Sequence, residues 1–190
     1  MLVILLLTKR LYTSIKKNKR PLYQFLMYND YIMINEFMAK KIGEVLAFTK
    51  ISNDTIEKAG IPLSNVLGEE KIIEFIEKNK RYIKEINHIS ETFNVSDIVT
   101  KKSASTEEKL KSMRDMYIRE QWSNPVEVLE WSGFFEGAAI VHFALVKGCA
   151  EGINNDSLIA FSQECIDYHR EILDIIESEL CSVGSNRSII

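Results

Sequence analysis

Proline and glycine are scarce in this chain, three and eight among 190 residues. That is too little punctuation for the many turns of a β-sandwich or barrel, and it favours long helices. Cysteine is equally sparse: Cys149, Cys165 and Cys181 are an odd number with no CxxC spacing. No disulfide framework is expected from them, and a reducing, cytoplasmic setting fits. No apolar run approaches the ~18 residues that a bilayer span needs. The short run 2–7 is followed at once by Lys9 and Arg10, which is the wrong order for a secretory signal. Also missing are GxGxxG, a Walker-type loop, GxSxG and HExxH, the signatures of dinucleotide binding, phosphate cradling, serine hydrolysis and zinc proteolysis.

What is present is an ordinary globular balance, 46% hydrophobic and 27% charged, in a chain long enough for one domain with a substantial core. Charge is unevenly spread. Residues 1–20 hold six basic side chains and no acid, so the remainder carries 18 basic against 27 acidic residues. The first 28 residues read as a basic arm packing on a bundle; a contact to nucleic acid or an anionic membrane is the other use of such an arm. The acidic body argues against a nucleic-acid face elsewhere.

Residues 123–151 carry the clearest helix signals, and the stretch reads as the central helix. Asn124 can cap the first turn, Pro125 suits the first helical position, and Gly152 can take the left-handed conformation that ends a helix. Gly133, Gly137, Val141, Ala144 and Gly148 recur along it at three- and four-residue intervals. Glycine costs roughly 1 kcal/mol against alanine inside a helix, so the stripe needs an offsetting gain. Close helix or subunit packing is one such gain, and a small-molecule groove that includes His142 is the other.

Around this stretch the apolar periodicity predicts a helix from residue 29 or 30, with Tyr31, Met38, Ile42 and Val45 inward and Lys40, Lys41 and Glu44 outward. Gly60 and Pro62 should end it, and 61–65 should be a turn. A second long helix is expected over 69–93, with Ile72, Ile76, Ile83, Ile86 and Phe93 on its core side. The serine- and lysine-rich segment 94–105 reads as a mobile connector, Ser105 with Glu108 as a capping box that opens a short helix to Trp122, and 156–181 as the last helix, ended by Gly184. The fold class is therefore all-α, an antiparallel up-and-down bundle of four long helices and one short one, in a single domain 29–184 with a tail 185–190.

Two constellations could bear chemistry. Glu85 and His88 form one ExxH unit, which di-iron bundles use twice; here it occurs once and flanks the apolar stripe, as a solvated pair would. If the last two helices form a hairpin turning near Asn154, His142 faces Cys165, and His169 lies one turn beyond. Such a trio suits zinc, and equally a hydrogen-bonded polar core.

The stretch EGAAIVHFALVKGCAE, through His142, Ala144, Ala150 and Glu151, resembles a late-helix motif of the cobalamin adenosyltransferase family. That resemblance implies an antiparallel helical bundle, usually trimeric, with ATP and Mg and cobalamin as ligands. Where the family places nucleotide-binding arginines on this helix, the present chain has Leu145, Lys147, Gly148 and Cys149. It also has no counterpart of the family's N-terminal Gly/Thr/Lys-rich loop. The expectation drawn from all of this is a homo-oligomeric bundle that binds a partner protein or a small ligand without catalysis. A divergent corrinoid or nucleotide transferase is the alternative, and a metal-binding bundle the third reading.

Overall fold

The computed structural model describes residues 34–188, and every regular element among them is helical. The order is α1 (Glu36–Lys58), α2 (Gly60–Leu67), α3 (Glu69–Thr92), α4 (Ser96–Ile118), α5 (Pro125–Gly152) and α6 (Asp156–Arg187). Asparagine opens three of them: the side chains of Asn35, Asn124 and Asn155 accept from the amides of Met38, Val126 and Leu158, satisfying donors that have no partner inside the helix. Between helices the chain reverses through left-handed residues, Asn94 before α4 and Asn154 before α6, each with φ of 54°. Asparagine tolerates that conformation because its short side chain bonds locally.

The core is organised around α1. From Ile42 to Thr49 every residue of α1 is buried, polar ones included, so neighbours surround it. On one side α4 comes so close that a Cβ on Gly43 would stand 2.7 Å from the Val99 carbonyl oxygen and 2.8 Å from Lys102 Cβ. Glycine is required there by the approach of another backbone. Contacts fix the directions. Glu44 meets Lys102, Lys50 meets Glu107 and Asp54 meets Arg114, so α1 and α4 run the same way. Glu44 meets His142 and Phe48 meets Phe135, so α5 runs against α1. Lys147 with Gln163 and Glu136 with His169 make α5 and α6 a hairpin, and Lys71 with Glu171 and Arg81 with Glu164 set α3 against α6.

Several expectations need correction. Five helices of 23 to 32 residues and one of eight stand among the described residues, in place of four long and one short. The segment expected as a mobile connector is the first half of α4. Its serines are satisfied inside the fold: Ser103 is buried and donates to Glu107, and Ser96 bonds Ser90. Ser105 is no cap; it lies mid-helix and donates to the Lys102 carbonyl. Residues 61–65 are helical within α2, and Pro62 stands near its start, where a missing N–H costs nothing. The most enclosed helix is α1, not α5. Gly152 is the last residue of α5, with the left-handed position taken by Asn154. α6 passes through Gly184 to Arg187 and takes in the first half of the expected tail. The first helix, expected from residue 29 or 30, is capped by Asn35 and begins at Glu36; the basic arm and Tyr31 lie outside the described residues.

The glycines separate close approach from open space. Gly43→Ala should lower stability by about 1–3 kcal/mol through overpacking, about 2–10 °C in Tm for a chain of this size. Gly137→Ala and Gly148→Ala, with no described atom within 4 Å of the added Cβ, should each hold or raise stability by up to about 1 kcal/mol. Thermal unfolding of the three variants checks the ranking; a neutral Gly43→Ala would contradict the α1–α4 approach.

Candidate functional site

α5 has an inward and an outward side. Inward, Val128, Leu129, Trp131, Phe135, Ala139, Phe143, Val146 and Ala150 are buried. Toward α6, Gly133 sits where a Cβ would touch Ile176 Cγ2 at 3.4 Å. The outward side is apolar and open: Phe134 is 61% exposed, Val141 60% and Leu145 42%. Ala144 and Gly148 are exposed beside them and Gly137 is half-buried. Of the small-residue stripe read from the sequence, Gly133 therefore belongs to the α6 seam, and the rest faces outward. Across the aromatic contacts of Phe134 with Trp131 and Trp131 with Tyr117, the apolar surface continues onto α4, where Met113, Met116 and Tyr117 are exposed. Trp131, Phe134 and Phe135 stay together, whereas Trp122 lies under Lys58 and Arg114.

His142 flanks this surface and turns toward α1. Its ring lies 4.6 Å from that of Phe48, and its Nδ1 is 3.0 Å from Glu44 Oε2. Glu44 was expected on a solvated face; it is 7% exposed and also holds Lys41 at 2.8 Å and Lys102 at 3.0 Å. Burial alone would raise its carboxyl, but the hydrogen bonds and charges of Lys41 and Lys102 outweigh burial and hold it below the ordinary value of 4.5. The carboxylate therefore accepts and His142 Nδ1 donates, from a ring whose side chain is 30% exposed.

His169 is oriented differently, inside the α5–α6 seam. It is fully buried and its Nδ1 hydrogen-bonds Glu136, itself 3% exposed, while its Nε2 has no partner among the described residues. Cys165 is buried on the same helix, and burial pushes its thiol well above the ordinary range, so it behaves as a small apolar side chain. The expected trio of His142, Cys165 and His169 is thus not assembled: one histidine is committed to α1, the other to Glu136, and no metal-binding group of three exists among the described residues. Glu85 and His88 are exposed. Beside Glu136 a cavity of ≈ 30 Å³, lined also by Ser132, Ser52 and Thr55, has room for a water or two.

By length and composition alone α5 could cross a membrane, as the core helix of a bundle also can; here it carries Glu136 and His142, each bonded to another helix. No family model, no curated protein and no solved structure matches this chain.

Two outcomes test the polar contacts. Because the folded Glu44 carboxyl is lowered, its contribution is complete above about pH 4.5 and disappears as pH falls through the folded value. Tm should therefore drop on acidification below about pH 4.5, and Glu44→Gln should flatten that drop; an unchanged acid profile would contradict it. His169→Leu leaves the buried Glu136 carboxyl group without its hydrogen-bond partner and should cost about 1–3 kcal/mol in urea unfolding. The double variant with Glu136→Leu should recover a large part of that loss, and strictly additive losses would contradict a coupled pair.

Proposed function

We propose that this chain is a non-catalytic protein-binding module, an up-and-down bundle of five long helices that docks through the outward side of α5 and the adjoining turns of α4. A reducing compartment suits its unpaired cysteines. The observation that carries the reading is the contiguous exposed run of Phe134, Val141 and Leu145 with only glycine and alanine between them. Isolated exposed apolar residues are ordinary, but a continuous apolar strip marks a contact surface. The small residues let another backbone approach, which offsets the helix propensity lost at Gly137 and Gly148.

The Glu44–His142 pair favours a second reading, a divergent corrinoid or nucleotide transferase. An imidazole oriented by a carboxylate, with its other nitrogen near solvent, has the form of a general base. Against it, the one base on the relevant turn, Lys147, is engaged with Gln163 and Glu151.

Oxidative footprinting tests docking. In extract of the native cells Phe134 and Leu145 should be protected relative to the purified dilute protein, with Ile61 and Ile73 as exposed references; equal labelling in both would contradict docking through α5. A thermal melt addresses the transferase. Magnesium ATP or cobalamin at about a hundred times its dissociation constant would add roughly 2.7 kcal/mol, about 5–10 °C. The module reading expects no shift.

A further inference from the structure

We infer that the partner docked on α5 is a second copy of this chain, paired antiparallel about a twofold axis through Val141; the inference rests on the docking reading above. The reason is the order of side chains on the exposed strip. With Val141 on the axis, Phe134 of one copy meets Gly148 of the other, Leu145 meets Gly137, and Ala138 meets Ala144. Each pairing sets a large side chain against a small one or two small ones against each other, as interdigitating helix surfaces require. A parallel pairing would instead oppose Phe134 to Phe134 and Gly148 to Gly148, a clash at one end and a gap at the other. The strip is thus complementary to itself in one direction only.

Charge agrees. No ionisable side chain lies among residues 134, 137, 138, 141, 144, 145 and 148, so closing the two strips desolvates no charge. At the ends, Glu130 of one copy comes beside Glu151 of the other. Neither is bare: Tyr117 donates to Glu130 at 3.2 Å and Lys147 lies 3.7 Å from Glu151. Those acidic ends, with no basic residue on the strip's own face, disfavour a lipid surface, which an interfacial helix meets with Lys and Arg. The strip is about 21 Å long and about 10 Å wide. That is well under the ~800 Å² per partner of a standard interface, so the pairing is weak and concentration-dependent.

Sedimentation equilibrium of the full chain tests this. Wild type should pass from monomer to dimer across roughly 1–200 µM. Val141→Lys and Val141→Glu, each of which puts like charges face to face on the axis, should stay monomeric with circular dichroism and Tm unchanged. An equimolar mixture of the two should form a heterodimer. A monomeric wild type throughout, variants that dimerise as wild type does, or a mixture that stays monomeric would each overturn the inference. So would pelleting of wild type, but not Val141→Lys, with phosphatidylcholine vesicles. Footprinting protection in extract together with a monomeric pure protein would remove the self-pairing and leave docking standing; no protection in either would remove both.

Discussion

The approach of α4 onto α1 at Gly43 is the constraint from which the rest of the arrangement follows. With α4 in backbone contact at Gly43 and α3 and α5 on its other sides, α1 is enclosed over more than two turns, and its polar side chains must be satisfied by neighbours rather than by water. Glu44 is answered by two lysines and a histidine from three helices. Thr49 and Thr55 bond back to carbonyls of their own helix, and Ser52 accepts from Asn79. These pairings fix the rotation of α5, because His142 must reach Glu44, and that rotation leaves Phe134, Val141 and Leu145 outside.

The sequence disclosed the helices whose signals are local. Asn124 with Pro125 starts α5 where expected; on α3 Ile72 and Ile86 are buried while Ile76, Ile83 and Phe93 are only partly so, and Cys165 and His169 of α6 are buried. It misled where composition stood in for context. Serine- and lysine-rich α4 resembles a connector because serine competes for backbone bonds in an isolated chain; in the fold Ser103 is held by Lys50 and Glu107, and that pairing spans more than fifty residues. A lone glycine such as Gly43 has no pattern to distinguish it, although its need for close approach is stricter than that of the α5 stripe.

The candidate site was half legible for a related reason. The hairpin register near Asn154 is right to within a turn, as Lys147 with Gln163 and Glu136 with His169 attest. Register along the axis says nothing of rotation about it, so His142 could not be assigned to α1 or α6 from spacing. Glu44 was missed because amphipathic reading assigns a charge between lysines to water, which fails for a helix enclosed on all sides. The small-residue stripe was visible, and the structure changes what it means: apart from Gly133, it is an unfilled surface of the folded unit.

The account's central claim is that this surface is open in one copy and closes on another. Fluorine NMR of the protein carrying a fluorinated phenylalanine, with the Phe134 resonance assigned by Phe134→Leu, measures that directly. The account predicts a solvent-exposed resonance at low concentration that moves saturably to a buried environment as concentration rises. A resonance that stays exposed at every concentration, or is buried even at the lowest, would contradict it.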